Sequence, residues 1–371
     1  MKTPEISFLC ASYNHGRYVV DFLRSLLAQT NSNWECVLVD DCSCDNNIEA
    51  VLSVQDPRIK LVRHSRNEGM AKSLQDAFYA SSASIVSWVA SDDVLECKYV
   101  ETVLSALGEH PDSDIVYTPL SYMKEDGAMS GCRSHLPIEM SRRELVSKMF
   151  LGVNLLHSPG MAVRRDVFSE LLPLDIATIQ FTDWQMHLRL LCRHEPVLLD
   201  TPIVRYRISH NSACARSRAV EFREDAECCD FMNAVSDFVG ESKSRFEEYF
   251  GSVAEIHPVL DEDVPFLMGL LALRSPLASK RRWGYQMMMR GVATVEGAQG
   301  IYERYGIDFS RLMQLSAEAS PSEPEVVDTG EGPNRRIRRR LLNCKFFAFL
   351  FFAMFVITSL ILTIVLLKVT L

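Results

Sequence analysis

Two pairs of neighbouring aspartates are the residues of this sequence whose type and spacing indicate chemistry. Asp40 and Asp41 come directly after one short apolar run, and Asp92 and Asp93 come shortly after another. Carboxylates that lie close together repel one another unless a cation or hydrogen-bond donors compensate their charge. A divalent metal ion takes oxygen ligands and commonly keeps substrate phosphates as further partners. The two pairs therefore indicate a site for a divalent metal ion.

The segments around these pairs alternate between short apolar strands and amphipathic helices, which is typical of an α/β fold. This order predicts a parallel sheet covered on both faces, in which ligands bind at the carboxyl ends of the strands. Both aspartate pairs are then expected at that edge of one sheet. The predicted strands cover 6–11, 36–39, 59–62 and 85–89, and the predicted helices cover 18–29, 70–80 and 98–107.

Beyond residue 120 the pattern changes in stages. Helices are expected at 141–151 and 182–194 and strands near 160–164 and 197–205, after which helical patterns dominate. A stretch rich in Ser, Pro, Glu and Gly then predicts a flexible linker. The predicted organisation is an α/β domain at 1–215, a helical extension at 216–315, a linker at 316–333, a basic segment at 334–345 and a transmembrane helix at 346–367.

The transmembrane prediction comes from a change in hydropathy and charge near the C-terminus. The run Phe346–Leu367 has 22 residues, of which only three are polar. A helix of this length extends about 33 Å, enough to cross a hydrocarbon core of about 30 Å. The net charge of the chain is −9, but residues 334–371 carry +7 and leave −16 for the rest.

The positive charges before this helix predict its orientation. Arg335, Arg336 and the arginines at 338–340 are expected to stay on the cytoplasmic side of the bilayer. We therefore predict a single-pass protein of the plasma (inner) membrane with its body in the cytoplasm. The acidic balance of that body argues against a nucleic-acid partner, because such proteins need a basic face.

Four short motifs follow the predicted strands in order: Ser12-Tyr13-Asn14, Val39–Asp45, Asn67-Glu68-Gly69 and Ser91-Asp92-Asp93. This order resembles the family 2 glycosyltransferases, which have the GT-A fold, a Rossmann-like nucleotide-binding sheet with flanking helices. The resemblance covers the first hundred residues and implies that 1–215 is the catalytic domain.

The resemblance implies donor binding by residues at the strand ends. Asp41 would hydrogen-bond the nucleotide base, and Asp40 would support the same pocket. The alternative is that both cap the following helix, for which Asp45 is better placed. Asp93 would ligate Mg²⁺ or Mn²⁺, and Asp92 would contact the ribose or a metal-bound water. The implied nucleotide-sugar-binding residues are Ser12, Asn14, Asp40, Asp41, Asn67, Gly69, Lys72, Asp92 and Arg207.

Two later segments extend the resemblance. Asp183 stands where the family has its catalytic base, and the dipole of the helix that it opens would keep its carboxylate ionised. The alternative is an ordinary helix cap, which Thr182 would provide equally well. His210 would complete the metal or diphosphate site, or it is a solvated loop histidine. Arg207 and Lys72 would contact the phosphates, although Lys72 also suits a solvated helix face.

The resemblance implies an inverting glycosyltransferase that moves a sugar from a nucleotide-diphosphate donor, most commonly a UDP-sugar, to an acceptor hydroxyl. The predicted membrane anchor favours a glycan or lipid-linked acceptor, as in cell-surface polysaccharide assembly. The alternative is a membrane-tethered module that binds sugar nucleotides without turnover. Cys42 and Cys44 motivate it, because they replace a glycine and a threonine of the family pattern and glycine permits backbone angles that cysteine resists.

Overall fold

Short apolar runs form a central sheet of seven strands in the computed structural model. The structure describes residues 3–178, 181–208 and 221–319. The strands, in chain order, are β1 Ile6–Ser12, β2 Trp34–Asp40, β3 Ile59–Arg63, β4 Ile85–Ala90, β5 Val94–Leu95, β6 Ser113–Tyr117, β7 Leu120–Met123, β8 Met129–Arg133, β9 Met161–Arg164, β10 Glu195–Leu198 and β11 Val204–Arg207. The order across the large sheet is β10-β6-β9-β4-β1-β2-β3.

One strand of the large sheet runs against the others. β1 to β4 are parallel to their neighbours in this group, as predicted, but β9 is antiparallel to both β4 and β6. The direction of β9 was not predicted, because a buried apolar run of four residues carries no signal of its direction. The reversal puts the start of β9 beside the end of β4, where Gly160 N–H donates to the Trp88 carbonyl at 2.9 Å.

A second, smaller sheet continues from the end of β4, with the order β5-β11-β7-β8. β5 directly follows the second aspartate pair, and β11 pairs with it antiparallel, Val204 opposite Leu95. The single strand predicted at 197–205 is therefore wrong, since this segment contains β10 of the large sheet and β11 of the small one. Pro202 lies between them and has no backbone N–H with which to continue a ladder.

Helices cover both faces of the large sheet, because alternate residues of its strands enter two separate cores: Phe8 and Cys10 enter one and Leu9 the other. This α/β arrangement was predicted, although α7 ends three residues earlier than expected. The helices of the described residues are α1 Val19–Leu27, α2 Asn47–Leu52, α3 Met70–Ala80, α4 Tyr99–Glu109, α5 Arg142–Leu151, α6 Arg165–Ser169, α7 Thr182–Leu191, α8 Glu221–Val239, α9 Lys243–Phe250, α10 Val264–Ala272, α11 Ala278–Gly291, α12 Val295–Tyr305 and α13 Phe309–Ala319.

The later helices pack against the helix that carries Asp183. Trp184 of α7 stacks on Phe231 of α8 with the ring centres 5.0 Å apart, and Lys280 of α11 is fully buried above the Trp184 ring. The last helix, α13, continues to Ala319, so residues 316–319 are helical and the predicted linker begins later than expected.

Within the described residues, no helix is long and apolar enough to cross a membrane. These residues belong to one compact unit, Met1–Ser320. The predicted transmembrane helix at 346–367, the basic segment at 334–345 and the rest of the linker lie outside the described residues.

Candidate active site

Asp40 is fully buried at the end of β2 and is bound by the loop that follows it. The side-chain amide of Asn47 donates to its Oδ1 at 2.7 Å, and the Ser43 N–H donates to its Oδ2 at 3.2 Å. Ser12, at the end of β1, donates its hydroxyl to Asn47 Oδ1 at 3.0 Å. Ser12 and Asp40 therefore hold the loop between β2 and α2 against β1.

Two residues near this loop have left-handed backbones, with φ of +56° at Asn14 and +62° at Cys42. Asn14 connects the loop to β1, since its Oδ1 accepts the Cys44 N–H at 2.8 Å and its own N–H donates to Ser43 Oγ at 2.9 Å. Asparagine tolerates this conformation, whereas other side chains lose about 1–2 kcal/mol in it. Cys42 thus occupies a strained position that a glycine would accept.

Asp41 directs its carboxylate at the turn before α3. Its Oδ1 accepts the Glu68 N–H at 2.7 Å and lies 2.8 Å from His64 Nδ1, while its Oδ2 accepts the Gly69 N–H at 2.8 Å. Gly69 has a φ of +90°, so the direction of its amide depends on glycine. A carboxylate has about four acceptor positions. These three contacts leave one position, on Oδ2, for a donor group of a ligand.

Helix capping does not account for either aspartate pair. The carboxylate that accepts an amide at the start of α2 is that of Asp45, whose Oδ1 accepts the Asn47 N–H at 3.0 Å. Its other oxygen accepts the Gly16 N–H at 2.8 Å. The helix after the second pair, α4, begins only at Tyr99 and has no side-chain cap.

A chain of alternating charges continues behind Asp41. His64 Nε2 lies 3.0 Å from Asp76 Oδ2, and Lys72 Nζ donates to both oxygens of Asp76. Lys72, predicted to reach the phosphates, is therefore ion-paired one turn along its own helix. Asn67, in the turn before α3, is exposed. His64 was not predicted, although it directly follows β3, where the strand-end rule would have identified it.

Asp93 is 1% exposed at the carboxyl end of β4. The backbone N–H of Arg207 donates to its Oδ1 at 2.9 Å, whereas its buried Oδ2 has no hydrogen-bond partner among the described residues. Burial, and then the neighbouring charge of Asp92, raise the pKa of Asp93 well above its ordinary value. A cation at Oδ2 would offset both effects, so this oxygen fits a metal ligand.

Arg207 does not present its guanidinium to a ligand in this conformation. The side chain is buried and donates from Nε to the Asp92 carbonyl at 2.8 Å and from Nη1 to the Glu125 carbonyl at 2.9 Å. Its Nη2 donates to Asp21 Oδ2 at 3.2 Å. In place of the predicted diphosphate contact, Arg207 connects β11 to the turn after β4.

Other cations lie near this turn. A cavity of about 480 Å³ adjoins the segment held by Arg207, and two of its lining residues, Arg17 and Lys124, are basic. His15 lies nearby, with its Nδ1 2.8 Å from Ser91 Oγ and 3.9 Å from Asp92 Oδ1. None of these three was predicted. The lining residues of the cavity are Arg17, Lys124, Glu125, Asp126 and Ile208.

The described residues do not form a complete metal site. Within the described ranges, no group of three or more His, Cys, Asp or Glu side chains is arranged to hold a metal ion. His210, the predicted additional ligand, lies outside the described residues. Asp93 and Asp92 alone suit a divalent ion that completes its coordination with waters and diphosphate oxygens.

Asp183 is the second residue of α7 and has few contacts on one carboxylate oxygen. Its Oδ1 accepts the Trp184 N–H at 2.7 Å, and Asn154 Nδ2 lies 3.5 Å from its Oδ2. Burial raises the pKa of Asp183 above its ordinary value, and hydrogen bonds, including one from Ser158, oppose the rise only in part. Burial thus opposes the helix dipole, which was predicted to keep this carboxylate ionised. The raised pKa makes this carboxylate a stronger base.

The contacts of Thr182 and Trp184, on either side of Asp183, show what these two residues do. Thr182 is no helix cap, because its hydroxyl donates to the Thr178 carbonyl at 2.8 Å. Trp184 is 5% exposed and belongs to the hydrophobic core.

A buried polar chain lies behind Asp183. Ser158 Oγ is 3.3 Å from His187 Nε2, and His187 Nδ1 is 3.0 Å from the Tyr117 hydroxyl. Burial lowers the pKa of His187 to about 3, so the imidazole is neutral. Asn154 and Ser158 precede the reversed strand β9, and no sequence signal identified them. Ser158 lies two residues before Gly160, whose N–H donates to Trp88 near the end of β4, so the base and the second aspartate pair lie at the same edge of the sheet.

Comparison with known proteins shows what the N-terminal part of the chain is similar to. Residues 7–172, somewhat less than half of the chain, match the family model described as glycosyl transferase family 2. The chain is 24% identical to the putative teichuronic acid biosynthesis glycosyltransferase TuaG of Bacillus subtilis, over 66% of this chain and 97% of TuaG. It is 31% identical to the UDP-Glc:alpha-D-GlcNAc-diphosphoundecaprenol beta-1,3-glucosyltransferase WfgD of Escherichia coli, over 28% of this chain and 40% of WfgD.

The matches differ in how much of each relative they cover. The covered share of the relative ranges from 17% to 97%, and for most curated relatives it is below two thirds. Among solved structures, S. aureus TarS 1–349 in complex with UDP-GlcNAc has a TM-score of 0.51 at 15% identity, over 84% of this chain and 90% of that chain. Residues 7–172 thus match the family that the motifs resemble, and the predicted GT-A-like α/β fold is confirmed.

Proposed function

We propose that the chain is an inverting glycosyltransferase that moves a sugar from a nucleotide-diphosphate donor to an acceptor hydroxyl. The observation that carries this proposal is the set of three carboxylates at one edge of the sheet. Among the described residues, Asp41 has one free acceptor position and Asp93 a buried oxygen without a partner, and Asp183 is a buried carboxylate at a helix start. These suit a base N–H, a cation and a hydroxyl proton respectively.

In this mechanism Asp183 Oδ2 accepts the proton of the acceptor hydroxyl while the hydroxyl oxygen attacks the anomeric carbon of the donor. Attack from the face opposite the leaving diphosphate inverts the configuration at that carbon. Even with its raised pKa, an aspartate cannot remove the proton of a free hydroxyl beforehand, so proton transfer accompanies bond formation. Asn154 and Ser158 hold the carboxylate in position for this step.

Donor binding is assigned to the other two carboxylates. The free acceptor position of Asp41 receives an N–H of the nucleotide base. Asp93, with Asp92, would hold Mg²⁺ or Mn²⁺, which when bound neutralises negative charge on the leaving diphosphate. Arg17 and Lys124 add positive charge beside this position. Asn14, Ser12 and Gly69 act indirectly, by shaping the loops that carry these groups.

We further propose a UDP-sugar as donor and a glycan or lipid-linked saccharide as acceptor. The support is that WfgD is named for UDP-Glc and a diphosphoundecaprenol-linked acceptor, and that TuaG is named for teichuronic acid biosynthesis. The apolar run at 346–367 supports placement in the plasma membrane as a single-pass protein with its body in the cytoplasm. No nucleic-acid partner is part of this proposal.

One observation favours a second candidate, a membrane-tethered module that binds sugar nucleotides without turnover. Cys42 keeps a left-handed backbone in the loop that follows Asp41, and strain there could alter the base pocket. The two candidates differ in turnover, because a pure binding module releases no nucleotide.

Membranes that contain the full chain, incubated with a panel of labelled sugar nucleotides with and without Mn²⁺, test the proposal. We expect transfer of label from one donor to membrane glycan or lipid, together with nucleotide release and stimulation by the metal. Binding of a sugar nucleotide without nucleotide release would instead identify the binding module. No binding of any donor would contradict both candidates.

A further inference from the structure

His64 has a geometry that requires an unusual protonation state. Its Nδ1 lies 2.8 Å from Asp41 Oδ1 and its Nε2 lies 3.0 Å from Asp76 Oδ2, and the side chain is 8% exposed. Ionised carboxylates only accept hydrogen bonds, so both ring nitrogens must donate. A ring that donates from both nitrogens is an imidazolium, which also compensates the negative charge of the two carboxylates.

The surrounding charges favour this state. Burial alone would lower the pKa of His64, but the hydrogen bonds to Asp41 and Asp76 outweigh it and raise the pKa above its ordinary value of 6.5. Lys72 donates to the same Asp76 carboxylate and adds one positive charge beside it. Glu68, on the turn that packs against Asp41, adds a further negative charge and lies 3.6 Å from exposed Arg66.

From this arrangement we infer that His64 is the positioning residue of the donor-base site: its doubly donating ring holds the Asp41 carboxylate so that the remaining acceptor position of Oδ2 faces the base. The inference rests on the proposed function, since it assumes that Asp41 binds the nucleotide. Two of the three contacts of Asp41 are backbone amides, and the ring is the side-chain contact that a change of pH can remove.

The sign of the pH effect follows from the raised pKa. Below the ordinary pKa of a histidine, the ring is fully protonated and both hydrogen bonds exist. As the pH rises through the raised pKa, the ring loses one of its two protons and faces one carboxylate with a lone pair. Asp41 then has a weaker or absent side-chain contact, and nucleotide affinity falls. Loss of one charge-assisted hydrogen bond corresponds to about a tenfold weaker Kd.

The chain contains a matched control histidine. His194 Nδ1 lies 2.9 Å from Asp114 Oδ2 and its Nε2 lies 3.1 Å from Glu170 Oε2, so it too bridges two carboxylates. It lies just before β10, beside the start of β6, at the amino edge of the strands and away from the donor site. The His194→Gln variant therefore removes a histidine that bridges two carboxylates but leaves His64 and the base site unchanged.

The experiment measures the Kd of UDP, with GDP as a second probe, for the purified full chain in detergent micelles at pH 6.0 to 8.5, in the presence of Mg²⁺. We expect wild type and His194→Gln to bind about tenfold more weakly at the upper end of this range. The His64→Gln variant should bind weakly at every pH, without that slope. The Asp76→Asn variant, which removes one negative charge beside the ring but leaves Asp41 unchanged, should move the fall in affinity to lower pH.

Circular dichroism and thermal unfolding of each variant show whether it is folded, and Asp76→Asn keeps the test decisive if His64→Gln is not. His64→Gln that binds UDP with the affinity and pH slope of wild type would overturn the inference while leaving the proposed function intact. Asp76→Asn with an unmoved slope would also overturn it. Wild type that binds neither nucleotide at any pH would contradict the proposed function, and this inference with it.

Discussion

At the scale of single residues, the aspartates of this edge differ through their surroundings. The carboxylate of Asp40 is bound by the loop around Asn47, while Asp41 keeps one acceptor position free among the described residues. Asp93 keeps a buried oxygen without a partner among the described residues, and Asp183 is desolvated at a helix start. In the proposed function, the same residue type thus provides support, base recognition, metal affinity and general base catalysis.

The raised pKa of Asp183 predicts the acid side of the pH–rate profile. A protonated carboxylate cannot accept the hydroxyl proton, so kcat should fall as the pH drops through a value above 3.8, the ordinary pKa of aspartate. Ser158→Ala removes a hydrogen bond that lowers this pKa and should move the acid limb to higher pH. The measurement is kcat against pH, with Ser147→Ala, a buried serine of α5, as the control. An unmoved limb in Ser158→Ala would contradict this account.

The left-handed backbone of Cys42 predicts an asymmetry between substitutions. Cys42→Gly relieves strain of about 1–2 kcal/mol in the folded state. Glycine also raises the conformational entropy of the unfolded chain, which lowers stability by about 0.4–1 kcal/mol. Because the two effects oppose each other, the free energy of unfolding should change little. Cys42→Val should lower it by about 1 kcal/mol and weaken UDP binding, because β-branched residues resist this conformation. Urea unfolding checks both variants, with Cys132→Val at an exposed strand position as the control. Equal stability of the glycine and valine variants would show that position 42 is unstrained.

At the scale of secondary-structure elements, the helices and strands that depend on nearby residues were predicted from the sequence. The alternation of β1, α1 and β2 was predictable because each element buries its own apolar face, and α3 was predicted at its observed bounds. The reversed direction of β9 and the contacts of His64 and Lys280 were not, because they depend on residues far away in sequence. The His64 ring is 23 residues from Asp41, and Lys280 is 130 residues from Phe150.

Lys280 predicts how the later helices support the active site. Its Nζ donates to the carbonyls of Met149, Phe150 and Gly152 at 2.6, 2.7 and 2.9 Å and lies 4.2 Å from the centre of the Trp184 ring. Burial lowers its pKa to about 7. Lys280→Met would leave three carbonyls at the end of α5 without this donor.

We expect Lys280→Met to lower the free energy of unfolding by about 3 kcal/mol. It should also lower kcat more than it changes the donor Kd, because Lys280 contacts segments beside the proposed base. Gly152 precedes the segment that contains Asn154, and Trp184 directly follows Asp183. Denaturant unfolding and steady-state kinetics measure the two effects. Lys148→Met, an exposed lysine of α5, is the control and should behave as wild type. A variant as stable as wild type would disprove the supporting role of Lys280.

At the scale of the whole molecule, charge separates the chain into two parts. The net charge of −9 combines −16 before residue 334 with +7 after it. The described residues, which carry the carboxylates of the site, belong to the acidic part. The mean hydropathy of +0.01 likewise averages an ordinary globular composition with the apolar run at 346–367.

The apolar run predicts how the protein fractionates. The full chain should remain in the membrane pellet after an alkaline carbonate wash, which removes proteins held by charge alone. A variant that ends at residue 333 should appear in the supernatant, because it lacks both the basic segment and the apolar run. Immunoblots of the two fractions measure this. Recovery of the full chain in the carbonate supernatant would contradict the predicted transmembrane helix.

The central claim, that this molecule transfers sugar with Asp183 as the base, is tested most directly by Asp183→Asn. The matched control is Asp166→Asn, an exposed aspartate that is likewise the second residue of its helix, α6. We predict that Asp183→Asn binds the donor with the wild-type Kd but transfers sugar about 10²–10⁴ times more slowly, whereas Asp166→Asn is fully active. Full transfer activity in purified Asp183→Asn would contradict the account.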